Sequence, residues 1–137
     1  DRVLGSPMPP PPGVSTITQG LGYSGADWQP ATGNYQTANR SLTDVKSIVI
    51  HDTEGSYAST LKIFQRPTYK ASAHYVVRAS DGHVAQMIST ENVLAAGNWY
   101  VNAHSVGIEH EGVAIEGASW YSENLPGIYP TWLLMAL

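Results

Sequence analysis

The sequence predicts an α/β fold, a mixed central β-sheet flanked by helices and preceded by a Pro-rich N-terminal arm, on three observations. First, short strand-like runs recur at Ser47-Ile48-Val49-Ile50-His51, His74-Tyr75-Val76-Val77-Arg78, His83-Val84-Ala85-Gln86-Met87-Ile88 and Ser105-Val106-Gly107-Ile108-Glu109-His110. Second, a segment with helical spacing, Ala58 to Gln65, separates the first two runs. Third, Asp81-Gly82 sits between the second and third, where glycine supplies the positive φ that a hairpin turn demands.

The elements follow in order. From Asp1 to Gly13, Pro7 and Pro9 to Pro12 fix φ and remove amide donors, which predicts an extended arm. Val14 to Ser41 has little periodicity but carries Trp28, Pro30 and Tyr35, which predicts an ordered wrap across a neighbouring surface. Residues 1–44 are therefore read as arm and wrapping segment, and 45–137 as the domain proper. The β-branched run from Ser47 to His51 predicts a buried strand, broken by Asp52-Thr53-Glu54-Gly55-Ser56. In the following helix Leu61 and Phe64 are three apart, and Pro67 stops it. Thr90 to Leu94 predicts one helical turn, and Ser105 to His110 a fourth strand. Tyr121-Ser122-Glu123 resembles a helix start, but Pro126, Gly127 and Pro130 deny a long helix. The apolar stretch after Thr131 has no cap, which predicts a fragment or an altered terminus.

Composition narrows the function classes. The 137 residues suffice for one domain with a core. A formal net charge of -4, with seven Lys and Arg, argues against a nucleic-acid partner, which calls for a basic stripe. No apolar run approaches the roughly 20 residues of a membrane-spanning helix. The absence of cysteine excludes disulfides and thiol chemistry. Only 13% of residues are charged, with Gly, Ser, Thr, Asn and Tyr in their place, which suits a secreted protein.

Several residues are candidates for chemistry. His51 stands where a strand runs out into a glycine-containing loop, the place where α/β folds build sites, and it reads either as a metal ligand or as a hydrogen-bonded loop histidine. Glu109 lies within a strand, opposite in face to Val106, Ile108 and His110, and is either an exposed carboxylate or a functional one. His74 reads as a core-facing, hydrogen-bonded histidine and His83 as an exposed one, while His104 and His110 are undetermined. No two histidines have the short spacing of a local metal motif. There is no G-x-S-x-G elbow and no phosphate-binding loop. A carboxylate-pair glycosidase would use Glu109 with Asp52 or Glu111.

Taken in order, Ile48-Val49-Ile50-His51-Asp52-Thr53-Glu54-Gly55, Ser72-Ala73-His74-Tyr75-Val76-Val77, Asp81-Gly82, Ala96-Gly97-Asn98-Trp99 and Ser105-Val106-Gly107-Ile108-Glu109-His110-Glu111-Gly112 resemble the type-2 N-acetylmuramoyl-L-alanine amidases, relatives of T7 lysozyme and the peptidoglycan recognition proteins. The resemblance spans roughly residues 45 to 120. It implies a mixed sheet flanked by helices, one zinc ion (Zn2+), and hydrolysis of the amide joining the muramoyl lactyl group to L-alanine in peptidoglycan. By position His51 matches the first zinc ligand and Glu109 the acidic residue at the catalytic centre. Asn98 and Trp99 are expected to contact the glycopeptide.

The chemistry suits these residue types. Zinc on three protein ligands keeps an open position and lowers the pKa of bound water toward about 7. A nearby carboxylate takes the proton from water and passes it to the leaving amine. The sequence also departs from the pattern. The second and third ligands are expected in a later segment, yet no His, Asp or Cys follows Gly117. Leu94-Ala95 stands where many relatives have Trp-His. The expectation is a secreted, zinc-dependent cell-wall amidase that lacks the segment closing its metal site, unless a local histidine such as His104 substitutes. The alternative is a non-catalytic module that binds muramyl peptide.

Overall fold

The structure, a computed structural model, describes residues 22–94 and 98–113. The arm from Asp1 to Gly13, the segment Ala95-Ala96-Gly97 and everything from Ala114 onward, including the expected helix start at Tyr121, lie outside the described residues. Seven strands and two helices are described: β1 (Asp27–Trp28), β2 (Tyr35–Gln36), β3 (Ser47–Asp52), α1 (Tyr57–Phe64), β4 (Tyr75–Val77), β5 (Val84–Gln86), β6 (Val93–Leu94), α2 (Trp99–Ala103) and β7 (Ser105–His110), with a 3₁₀ turn at Leu42–Asp44.

Five strands form one sheet in the order β1-β5-β4-β7-β3, and β2 pairs with β6 in a separate two-stranded ribbon. The main sheet is mixed, as expected. β4 and β5 are antiparallel, whereas β4–β7, β3–β7 and β1–β5 are parallel. Asp81 and Gly82 lie in the loop joining β4 to β5. Gly82 takes φ 73°, and the Asp81 carboxylate accepts from the His83 amide at 3.0 Å and from the Arg78 guanidinium at 2.8 Å.

The period-two alternation of strands divides the core between the two faces. On one face Val76 and Ala85 pack against Tyr57 and Phe64 of α1 and against Met87 and Ile88. On the other, Tyr75, Val77, Val84, Val106 and Ile108 close around Ala26. Helix α1 forms where expected. Ser56 caps it by accepting from Ser59 N at 3.2 Å, and its buried stripe is Tyr57, Thr60 and Phe64.

Two expectations are corrected. The run from Ser47 to His51 forms a strand but not a buried one: Ile50 is 49% exposed, and His51 is exposed too. Among the described residues β3 is the end strand and pairs only with β7, so its β-branched residues serve the ladder without two-sided burial. Thr90 to Leu94 is not a helical turn. Asn92 N donates to Ser89 O at 2.9 Å in a tight turn, and Val93–Leu94 then runs as β6 against β2. Residues 22–41 thus contribute a strand to each sheet.

Candidate functional site

The parallel ladder of β3 and β7 assembles the site. Its register pairs Ser47 with Ser105 and continues without interruption to His51 with Glu109 and Asp52 with His110. In-register residues of parallel strands project to the same face, so His51 and Glu109 are neighbours on the face that also carries Val76, the partner of Glu109 on β4. Both stand near the C-terminal ends of their strands, where open α/β sheets bind ligands.

The loops leaving the two strands are fastened together. Thr53 N donates to His110 O at 2.8 Å and Gly55 N to Gly112 O at 3.1 Å, closing an antiparallel bridge between Gly55 and Gly112. The Thr53 hydroxyl donates to Gly55 O at 2.5 Å and accepts from Gly112 N at 3.3 Å. Between these ties Glu54 adopts φ 49°, a left-handed conformation uncommon outside glycine. The strand ends are thereby held in one relative position.

Electrostatics single out Glu109. Burial raises its carboxyl from 4.5 to about 7, and the Asp52 carboxylate adds to the shift. A carboxyl poised there can both accept and release a proton at neutral pH. Glu111, two residues on, is committed instead to the fold. Its carboxylate accepts from Tyr57 N at 2.8 Å and Ala79 N at 2.9 Å. One bond satisfies a free amide at the start of α1, where a negative charge also complements the helix dipole. This use removes Glu111 from a two-carboxylate glycosidase pair with Glu109, and it lacks any local sequence signal because both donors are distant in the chain.

The five histidines separate by environment. His74 is fully buried, as expected. Its Nδ1 accepts from Gly107 N at 3.0 Å, so Nε2 carries the proton and donates to Asn92 O at 3.0 Å. Burial lowers its pKa to about 4, with the Arg40 guanidinium, 3.2 Å from Nε2, adding to the effect. His83 is not the exposed residue expected: it is half-buried, its Nε2 lies 2.8 Å from the Asp27 carboxylate, and its ring meets the Tyr57 ring edge-on. His110 is buried on the opposite face from Glu109, and burial lowers its pKa. His104 caps the end of α2, its ring against Tyr100 at 4.9 Å. It precedes Ser105, at the far end of the ladder from His51, roughly 16 Å away at about 3.3 Å per residue. His104 therefore cannot complete a metal site with His51. Among the described residues, no three His, Asp, Glu or Cys side chains converge to hold a metal ion.

Asn98 and Trp99 begin α2. Asn98 is its N-cap, the side-chain oxygen accepting from Tyr100 N at 3.0 Å and Val101 N at 3.3 Å, and Trp99 is 57% exposed. Leu94, earlier in the chain, rests on β7. A Cβ on Gly107 would come within 2.8 Å of a Leu94 methyl, so glycine is what lets Leu94 sit against the strand two residues before Glu109. Asn102 Nδ2 donates to Leu94 O at 3.1 Å. None of the described helices is long and apolar enough to cross a membrane.

Known proteins place this arrangement. The structure is similar to a mutant of PlyL, with a TM-score of 0.61 at 16% identity over 81% of this chain and 73% of that one. It is also similar to a selenomethionine derivative of AmpD, with a TM-score of 0.50 at 20% identity over 66% and 63%. At these identities the likeness concerns the fold. In sequence, 102 residues are 35% identical to N-acetylmuramoyl-L-alanine amidase A of Achromobacter lyticus, covering 72% of this chain and 54% of that protein. The chain thus spans about half the length of this curated relative. The family model for N-acetylmuramoyl-L-alanine amidase matches residues 41–125, more than half of the chain and all of the β3–β7 ladder. The chain belongs to the N-acetylmuramoyl-L-alanine amidase family.

Proposed function

We propose that this protein hydrolyses the amide between the lactyl group of N-acetylmuramic acid and L-alanine in peptidoglycan, with Glu109 as the proton carrier. The observation that carries this reading is the in-register pairing of His51 and Glu109 on one face, near the ends of β3 and β7. The Glu109 carboxylate takes a proton from the attacking water as its oxygen bonds to the carbonyl carbon. It returns that proton to the nitrogen as the C–N bond breaks, leaving a lactyl carboxylate and a free peptide amine. The raised pKa of Glu109 supports both transfers near neutral pH. Trp99 and Asn98 are proposed to contact the glycopeptide, and the low charge of the chain supports a place of action outside the cytoplasm, where peptidoglycan lies.

A requirement for zinc is part of the proposal only through His51, offered as one ligand. The described residues bring no second and third donor to it, so no step here is routed through a metal. The second reading, recognition of muramyl peptide without cleavage, is favoured by that same incomplete donor set.

One experiment separates the two readings. The protein is incubated with a soluble muramoyl peptide, with and without added zinc, and release of the peptide amine is followed by mass spectrometry while zinc per chain is measured by elemental analysis. Cleavage that falls at least about 100-fold in Glu109→Gln, with the fold retained, is expected. In His51→Ala, zinc retention should be lost. Peptide bound but never cut would establish the recognition module, and parental turnover in Glu109→Gln would dismiss the proposed base.

A further inference from the structure

The proposed substrate contacts lie at the start of α2, and whereas Val93 and Leu94 ahead of it are anchored in the core, the hydrophobic core does little to hold α2 itself. Helix α2 has five residues and no buried side chain, and Trp99, Tyr100 and Val101 are exposed at 57%, 74% and 41%. A helix this short has no stability of its own. Its start is capped by Asn98 and tied through Asn102 to Leu94 O, and its last turn is closed by the His104 amide on Val101 O and Asn102 O, which leaves Asn102 O and Ala103 O able to take a further donor.

Arg40 supplies that further donor. This side chain is 8% exposed and comes from the wrapping segment, about sixty residues earlier in the chain. Its NH1 group donates to Asn102 O at 2.8 Å and Ala103 O at 3.1 Å, and its Nε to Thr90 O at 2.8 Å. The Arg40 backbone amide donates to Glu91 O at 2.9 Å. One planar fork therefore joins the Thr90 turn to the end of α2, and its charge lies at the negative end of the α2 dipole. Beneath it His74 carries the connection into the sheet: its Nδ1 accepts from Gly107 N, and its Nε2 donates to Asn92 O.

We propose that Arg40 is a positioning residue that fixes α2 and the Thr90 turn over the sheet and thereby sets the affinity for the muramyl peptide. The affinity part rests on the amidase reading given above. The fork spans three carbonyls, which a lysine ammonium, a point charge without fixed geometry, reproduces only in part.

The test compares Arg40→Met, which fills similar space without donating, with Arg40→Lys, both in a Glu109→Gln background so that the ligand is not consumed. Amide hydrogen exchange is followed by residue, and binding of a soluble muramoyl dipeptide is followed by tryptophan fluorescence. In Arg40→Met, exchange at residues 99–104 should accelerate at least about tenfold while β4 and β7 stay protected. The dissociation constant should rise at least about fivefold, and Arg40→Lys should recover part of both effects. Faster exchange spread evenly over β4 and β7 would overturn the proposal, because Arg40 would then support only global stability. Local loosening with unchanged affinity would overturn it as well. Should Arg40→Met fail to fold, Arg40→Lys carries both readouts, and the same outcomes support or overturn the proposal. If the Arg40-intact background protein binds no dipeptide, the reading of the site as a muramyl-peptide site fails. The exchange pattern then decides Arg40 separately: a localised change upholds its positioning role and an even one overturns it.

Discussion

Two regions of the sheet use the same residue types for different ends. At the ends of β3 and β7, His51 is exposed and Glu109 is desolvated beside Asp52, with no hydrogen bond to either side chain among the described residues. Beneath β6 and α2, and at the start of α1, His74 and Glu111 have their polar atoms bound by backbone groups. His74 and Glu111 join elements distant in the chain, so their chemistry is consumed by folding. Among the described residues, His51 and Glu109 are placed by their strand backbones, and their side chains remain open to other partners. On the proposed reading, the two residues assigned to the chemistry are ones whose side-chain hydrogen-bonding capacity the described residues do not use.

The largest stability effect should come from the buried side of that contrast. His74→Phe keeps a planar ring but leaves Gly107 N and Asn92 O without their His74 partner in a buried position, at a cost of about 2–4 kcal/mol. Urea unfolding measures it, and a loss under about 0.5 kcal/mol would show that the two backbone groups find other partners. Glu111→Gln retains one acceptor oxygen for two amides and removes the charge at the α1 terminus, so about 1–3 kcal/mol should be lost. Its site should be unaffected. A variant equally stable but inactive would place Glu111 in the chemistry and erase the distinction drawn here.

The smallest effect in the parent protein is a cancellation. His74 has a folded-state pKa of about 4, below its ordinary 6.5, so the unfolded chain binds more protons and stability rises with pH between those values. Glu109 has a folded-state pKa of about 7, above its ordinary 4.5, so the folded chain binds more protons and stability falls with pH between those values. Over the shared window the two slopes oppose each other, each at most about 1.4 kcal/mol per pH unit. The parent should therefore show a nearly flat contribution from this pair. Glu109→Gln should become more stable as pH rises from about 4.5 to 6.5, and His74→Phe less stable. Denaturant midpoints across that range would reveal it, and parallel profiles for both variants would refute the opposed assignments.

Much of the fold was legible in the sequence. The β-branched runs and Asp81-Gly82 marked four strands and a hairpin loop, and Leu61, Phe64 and Pro67 marked α1, because these signals are local in the chain. The motif around His51 and Glu109 was legible for the same reason, and with it the family. Thr90 to Leu94 has the composition of a helical turn and forms none, because a two-residue strand owes its existence to its partner, Tyr35–Gln36, and not to its own composition. Arg40, Glu111 and the pairing of His83 with Asp27 left no mark, since each partner lies dozens of residues away.

The sequence by itself determined four of the strands and α1, the candidate residues His51 and Glu109, and the family. Only the tertiary structure decided that β7 lies between β3 and β4, which sets His51 beside Glu109 and places His104 at the other end of the same ladder. It alone decided which of two glutamates two residues apart is satisfied by backbone amides and which is left desolvated. The physical reason is that pattern and propensity act over a few neighbouring residues. Burial, register and hydrogen-bond satisfaction depend on which distant segments meet, and they set how tightly each side chain is held and what charge it carries.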